Sequence, residues 1–392
     1  MEFKKIILKS GRERSLLNRH PWLFSGAVKQ LPNAENGEIV KIETNHHELL
    51  GYGFFSTQSQ IVCRIFEFNS EEIEIDRKYW KAKIENALNL RRQLINPAHT
   101  TCYRLLHAEG DFFPGLIADV YADVLVLQLL IKGTERISTE LFSIFKELGF
   151  PFIYLKTKQS TQLLEQVETG LTWVDEVKQM PVKVLENGNQ FSINVETGQK
   201  TGFFIDQRKN RQILASYSAN KTVLNTFSYS GGFSIYALAA GATLVHSVDS
   251  SKEAIALCEE NVQISSMANK HESYVSDVFD FLKQAPANFY DIIVLDPPAF
   301  AKHSRAVDNA AKGYKNLNKL GFQKVKPGGY IFTYSCSQHI DKDLFRKIVF
   351  SAAAETGRNV RILEQLSQPE DHPINIYHPE GEYLKGLLLV VD

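Results

Sequence analysis

Apolar and polar residues change their period twice along the chain. Over residues 1–72 the apolar positions come in short runs, KIILK, GEIVKIE, ELLGYGFF and IVCRIFEF, separated by turn-forming residues. This spacing predicts a small all-β module. The stretch SGRERSLLNRHPWLFSGAV after the first run reads as a loop. The period then lengthens: DRKYWKAKIENALNLRRQLI carries apolar side chains at helical spacing and stops at Asn96-Pro97, where the proline disfavours helix for the residue before it. GLIADVY and DVLVLQLLI return to strand, STELFSIFKELG to helix, and FIYLK and VKVLEN to strand, so residues 73–185 are expected to form an α+β domain.

From Thr222 onward strands and helices alternate. TVLNTF precedes GFSIYALAA, TLVHSVD precedes SKEAIALCEENVQISSM, ESYVSD precedes VFDFLKQA, YDIIVLD precedes a long helix, and GYIFTYS precedes KDLFRKIVFSAAAE. Such alternation predicts an α/β domain of Rossmann type over residues 186–392, a mostly parallel sheet with helices on both faces. No repeat or low-complexity tract interrupts it.

Composition sharpens this picture in three respects. At 392 residues, 44% hydrophobic and 23% charged, the chain is too long for one core and shows no signature of disorder. Net charge is −1, so a nucleic-acid partner has to be held by local basic patches. One candidate is the first 30 residues, where seven Lys or Arg face two Glu; Arg12, Arg14 and Arg19 are expected to touch phosphate. The four cysteines form no C-x-x-C pair, which argues against a zinc ribbon or a disulfide scaffold and for a reducing compartment. With no apolar leader and no run of about 18 apolar residues, a soluble cytoplasmic protein without membrane contact is expected.

In an open parallel sheet, ligands bind at the carboxyl ends of the strands, so chemistry is sought there. After the first strand of the α/β domain comes Phe227-Ser228-Tyr229-Ser230-Gly231-Gly232, which is either a ligand loop or a plain tight turn. Asp249, 18 residues beyond Gly231, is placed to accept hydrogen bonds from ribose hydroxyls or to cap the helix that follows. Asp277 has the same two roles open, toward an adenine amino group or as a cap. These features fit a nicotinamide dinucleotide as well, although a full G-x-G-x-x-G is missing. The fourth strand separates the readings: Asp296-Pro297-Pro298-Ala299-Phe300 ends the ladder and leaves a rigid carboxylate, free carbonyls and an aromatic for a flat heterocycle. Cys336 follows the fifth strand in YSCS and should reach the same edge as Asp296. A thiolate there can add to carbon 6 of cytosine and activate carbon 5; the alternative is a small buried apolar residue like Cys63 and Cys258.

The segments TGFFIDQRKNR, NTFSYSGGFS, LDPPAF, YSCS and HPEGEYLKG together resemble the bacterial large-subunit (23S) ribosomal RNA cytosine-5 methyltransferases, from end to end. RHPWLFSGAV resembles their PUA domain. The resemblance implies an N-terminal PUA domain, a central α+β domain and a Rossmann-like catalytic domain with a seven-stranded sheet whose last strands, NVRILEQL and EYLKGLLLVVD, form a reversed hairpin. It implies S-adenosylmethionine as cofactor, held by Phe204, Gln207, Arg208, Asn225, Phe227, Ser228, Gly231, Asp249, Asp277 and Asp296, with Arg208 toward the cofactor's carboxylate. FFIDQRKNR can also be read as the start of a surface helix. Catalysis is implied for Cys336 and Asp296. A related branch carries a second cysteine in the fourth-strand motif to assist release, and Pro297 and Pro298 leave none here.

For the RNA partner, the segment AKHSRAVDNAAKGYKN is read as a basic loop over the pocket, with Lys302 and Arg305 as contacts, Pro297 and Pro298 on the substrate side, and Phe300 or Tyr314 supporting a flipped base. Such a charge run is also what a solvated surface looks like. His372 and His378 lack the spacing of a metal site, so no metal is expected. Three other readings stay open: methylation of a base nitrogen without a thiol, a non-catalytic RNA-binding or assembly factor, and a dehydrogenase. A homodimer is neither required nor excluded.

Overall fold

The computed structural model describes residues 3–157, 159–301 and 303–392. Two compact units are found where three segments are expected: Met1–Val184 with Ile193–Ile205 and Glu370–Gly381, and Leu185–Ser192 with Asp206–Pro369 and Glu382–Asp392. The reason lies in one shared core. Tyr52, Phe54 and Phe66 of the all-β module pack into the same buried cluster as Trp80, Phe113 and Leu116 of the α+β segment, with the Phe54 and Trp80 rings stacked at 5.7 Å.

The first unit holds a six-stranded sheet, in spatial order Trp22–Phe24, Ile61–Glu67, Leu49–Phe55, Ile39–Glu43, Lys4–Leu8 and Val28–Gln30. The segment expected as a loop therefore contains a short helix, Arg14–Leu17, and two short strands. A second sheet of five strands runs Leu171–Trp173, Phe152–Lys156, Val124–Leu129, Leu116–Tyr121 and Cys102–His107. Helix Arg77–Leu94 ends before Asn96-Pro97 as expected, and Asp76 caps its start by accepting from the Tyr79 amide at 3.0 Å.

The second unit carries the expected doubly wound sheet. Its elements are α1 (Arg208–Ser218), β1 (Thr222–Thr226), α2 (Gly232–Ala239), β2 (Leu244–Asp249), α3 (Lys252–Ile264), β3 (His271–Val275), α4 (Val278–Gln284), β4 (Tyr290–Leu295), α5 (Val307–Lys324), β5 (Val325–Ser335), α6 (Lys342–Thr356), β6 (Val360–Leu366) and β7 (Lys385–Val391). The spatial order is β3-β2-β1-β4-β5-β7-β6. Strands β1 to β5 are mutually parallel, and β7 runs antiparallel to both β5 and β6, which is the reversed hairpin. Central strands covered on both faces have to be apolar throughout, and YDIIVL of β4 is buried at all positions but Asp291. Parallel pairing brings the carboxyl ends of β1, β2, β4 and β5 to one edge. Among the described residues no helix is long and apolar enough to cross a membrane.

Candidate active site

The turn from β1 to α2 is bent by three left-handed residues, Phe227 (φ 53°), Tyr229 (φ 45°) and Gly231 (φ 77°). Non-glycine residues rarely adopt such angles, and runs of this kind curl main-chain N–H groups into a concave, anion-accepting surface. Gly231 is needed for space as well, since a Cβ there would lie 2.6 Å from Cys258 Sγ on α3. Asp249, at the end of β2, accepts from the Tyr229 and Ser251 amides, each at 3.0 Å. The capping role considered for Asp249 belongs to Ser251, whose Oγ accepts from the Ala254 amide at 3.1 Å. Each Asp249 oxygen thus keeps acceptor capacity for a ligand while bracing the loop.

Asn225 is buried on β1 and donates to Ser234 Oγ at 2.9 Å, but its Oδ1 has no partner among the described residues; the same holds for buried Ser228 Oγ. Further along the sheet, Thr333 Oγ1 and the Tyr334 hydroxyl near the end of β5 are also buried without partners. Buried polar groups nearly always find partners, so the two atoms on and just after β1, Asn225 Oδ1 and Ser228 Oγ, keep capacity for a polar ligand at the carboxyl edge of the sheet. Asp277 is exposed and caps α4, its Oδ1 accepting from the Phe279 and Asp280 amides at 2.9 and 3.1 Å. Any contact with adenine is left to its other oxygen.

Downstream of β4, Asp296 is half-buried, Pro297 buried and Pro298 exposed. The Pro297 carbonyl lies 4.0 Å from Cys336 Sγ, so the sulfur sits directly beside the fourth-strand motif. Cys63, Cys102 and Cys258 are buried, and only Cys336 is partly open. Burial pushes the Cys258 thiol up to about 12 and raises that of Cys63 as well, which makes both inert near neutrality. The turn after Cys336 is fixed by Ser337: its Oγ accepts from the Ala301 amide at 3.2 Å and shares a hydrogen bond with the Tyr314 hydroxyl at 2.9 Å.

Tyr314 is fully buried, which corrects its expected place beside a flipped base. It supports Phe300 instead, ring centroids 4.6 Å apart, and Phe300 remains partly accessible. The presumed basic loop is helical from Val307; Arg305 and Lys312 are exposed, Lys315 pairs with Glu355 at 2.5 Å, and Lys302 lies outside the described residues.

Gln207 and Arg208 are buried at the start of α1, so this segment is no surface helix start. Gln207 Oε1 accepts from Asn210 at 2.5 Å. Phe204 falls in the first unit, where Lys200 Nζ stands 4.4 Å from its ring centroid. Arg12, Arg14 and Arg19 are all exposed on the first unit, and the Arg19 guanidinium lies 5.3 Å from the Phe68 ring. His372 and His378 are buried, His372 contacting Asp371 at 3.0 Å and His378 packing edge-on to Trp22. Sequence reasoning missed Ser337, Tyr334 and Lys385. The one visible signal was Lys385, a charge inside an otherwise apolar strand.

Two family models match this chain: a PUA-like domain over residues 6–68, and an S-adenosylmethionine-dependent methyltransferase over residues 104–389. The chain belongs to the S-adenosylmethionine-dependent methyltransferase family. The second match spans the central α+β segment as well as the Rossmann-like sheet. This methyltransferase is 40% identical over 394 residues to a protein of Aeromonas salmonicida named ribosomal RNA large subunit methyltransferase I, with 98% of each chain covered. A Shewanella amazonensis protein of the same name is 41% identical over 392 residues, again with 98% of each covered. Among solved structures, a Streptococcus mutans chain described as a SAM-dependent methyltransferase superposes with a TM-score of 0.83 at 25% identity, covering 98% of this chain and 99% of its own. A matching structure of equal score was solved with S-adenosylhomocysteine. The unpartnered polar atoms and the bent β1–α2 turn fit S-adenosylmethionine as cofactor.

Proposed function

We propose that this methyltransferase forms 5-methylcytosine in large-subunit ribosomal RNA, with Cys336 as nucleophile and Asp296 as its partner at the base. The observation that carries the reading is the position of the one partly open thiol, 4.0 Å from the carbonyl of Pro297, the residue after Asp296. The names of the Aeromonas and Shewanella relatives support the RNA class. The cofactor supplies an electrophilic methyl group when bound. The β1–α2 turn, Asn225, Ser228, Asp249 and Asp277 would hold its nucleoside portion, and Gln207 and Arg208 its methionine portion.

Carbon 5 of cytosine is a weak nucleophile. Addition of the Cys336 thiolate to carbon 6 forms a C–S bond and shifts a ring electron pair toward carbon 5, which then reacts as an enamine. Asp296 hydrogen-bonds the base edge and stabilises charge developing in the ring during addition. Loss of the carbon-5 proton to a base restores the double bond and expels the thiolate. No second cysteine follows Asp296, so that base is not a thiol.

The cytosine has to leave its stack to reach the sulfur, and partly accessible Phe300 and exposed Pro298 flank its path. Exposed Arg305, and Arg12, Arg14 and Arg19 on the PUA-like region, would contact phosphates. The test is twofold. Ribosomal RNA from a strain lacking the gene should have lost one 5-methylcytosine by mass spectrometry. RNA carrying 5-fluorocytosine should form an adduct with the protein that maps to Cys336. Full activity of Cys336→Ala, or a missing nitrogen-linked methyl group instead, would overturn the reading.

A further inference from the structure

The last strand carries a charge where an apolar residue is expected. Lys385 opens β7, is 4% exposed, and stands in register with Ser335, the residue before Cys336. Its Nζ donates to the Ser337 carbonyl at 2.7 Å and to the Tyr383 carbonyl at 2.8 Å. The Ser337 carbonyl also accepts from the Ile340 amide at 3.1 Å. Together with the Tyr314 and Ala301 bonds to Ser337 Oγ, these ties hold the segment after the cysteine from three directions, and one of the ties is an ammonium.

Two neutral carbonyls do not need a buried cation. Placing one there is unfavourable unless an anion shares the site. The charged groups around Lys385 include Glu382 ahead of β7, Asp341, Lys342, Asp343 and Arg346 at the start of α6, and Cys336 after β5. Glu382 is engaged with Lys342. Asp341 caps α6, accepting from the Leu344 amide at 2.7 Å. The Cys336 thiolate adjoins the carbonyl that Lys385 grips, since Ser337 is the next residue and Ser335, the residue before, is the register partner of Lys385.

We infer that Lys385 is a positioning residue for Cys336, its buried ammonium fixing the turn that carries the thiol and favouring the thiolate. The inference rests on the reading of Cys336 as the nucleophile. Burial draws Lys385 down to about 8, with Cys336 the largest of the charges that counter it, so the ammonium fades just above physiological pH. A cysteine served by it is activated where the enzyme works and loses that help in alkali.

The experiment follows alkylation of Cys336 by iodoacetamide against pH in the full-length protein without cofactor or RNA, with mass spectrometry locating the label. The wild-type thiol should titrate below the ordinary value of about 8.5. Lys385→Met should raise that midpoint by about one unit and slow labelling at pH 7 by about tenfold, and Lys385→Arg should recover it to within about threefold. A wild-type midpoint at or above the ordinary value overturns the inference, as does a folded Lys385→Met protein that follows the wild-type curve. If the Met variant does not fold, the wild-type and Arg curves still decide. Should Cys336→Ala retain methyl transfer, the nucleophile reading falls, while these curves still report whether Lys385 acts on the thiol.

Discussion

Two buried polar clusters, one in each unit, are built on opposite plans. In the first unit, arginines and carboxylates pair with one another. Arg104 holds both Asp119 oxygens at 2.8 and 2.9 Å, and Thr201 adds a bond to the same carboxylate at 2.6 Å. Arg91 grips Asp111 at 2.5 and 2.7 Å and donates to the Asp371 carbonyl at 2.8 Å, while Asp371 Oδ2 accepts from the Arg104 amide at 2.9 Å. In the second unit, Asn225 Oδ1, Ser228 Oγ, Thr333 Oγ1 and the Tyr334 hydroxyl are buried with no partner among the described residues. Leaving a polar group so costs about 1–3 kcal/mol, which a cofactor can recover and a purely structural role cannot. Mutual pairing of arginine with carboxylate marks the first cluster, whereas the second keeps polar capacity that a ligand can use.

The contrast can be broken from either side. The largest effect is expected for Cys336→Ala, which should lower methyl transfer by at least about 10⁴-fold, as loss of a covalent nucleophile does. Cofactor affinity by calorimetry should stay within a factor of about three, because the thiol belongs to the reacting base. Next comes Arg104→Leu, which strands the Asp119 carboxylate in the closed cluster and should cost about 3–5 kcal/mol in urea unfolding. Replacing both partners, Arg104→Leu with Asp119→Leu, should return much of that loss; a double variant as unstable as the single one would show that the pair is not self-contained. Asp249→Asn in the open cluster keeps an acceptor for the Tyr229 amide but loses charge, and should weaken cofactor binding about 10- to 30-fold, near 1.4–2 kcal/mol. Its unfolding midpoint should hardly move.

Legibility in the sequence followed the same division. The α/β sheet could be read because buried parallel strands are apolar throughout and alternate with helices, and its strand-end motifs carry residue types that a plain turn does not need. Strands Trp22–Phe24 and Val28–Gln30 are three residues each, too short to show a period. Cys102–His107 was hidden by Arg104, a charge that turns inward only because Asp119 awaits it. In α5, Ala310, Tyr314 and Leu317 are buried at helical spacing, but the basic residues between them gave the look of a loop. Capping and ligand binding draw on the same short polar side chains, so sequence could not divide Asp249 from Ser251. The return of Glu370–Gly381 to the first unit depends on Asp371 meeting partners more than 250 positions away, which no local pattern encodes.

The smallest expected effect uses protons to compare the units. His107 borders the closed cluster, where Arg104 and the ring Nδ1 are 3.0 Å apart; burial first, and then the Arg104 charge, hold it well below the usual histidine range. His271 on β3 is drawn down to about 4 by burial, its Nε2 lying 2.7 Å from Ser247 Oγ. Both are depressed on folding, so between about 6.5 and the folded value the unfolded chain binds more protons. Stability is therefore full above about pH 6.5 and lost as pH falls toward 4. For His271 the loss from pH 7 to pH 5.5 should be about 1 kcal/mol, read as a lower urea midpoint, and His271→Gln should remove that part of the slope. His107→Gln should flatten the acid limb as well. It should also lower stability at pH 7, because the Arg104 guanidinium, whose other bonds go to both Asp119 oxygens, would lose its contact with the ring nitrogen.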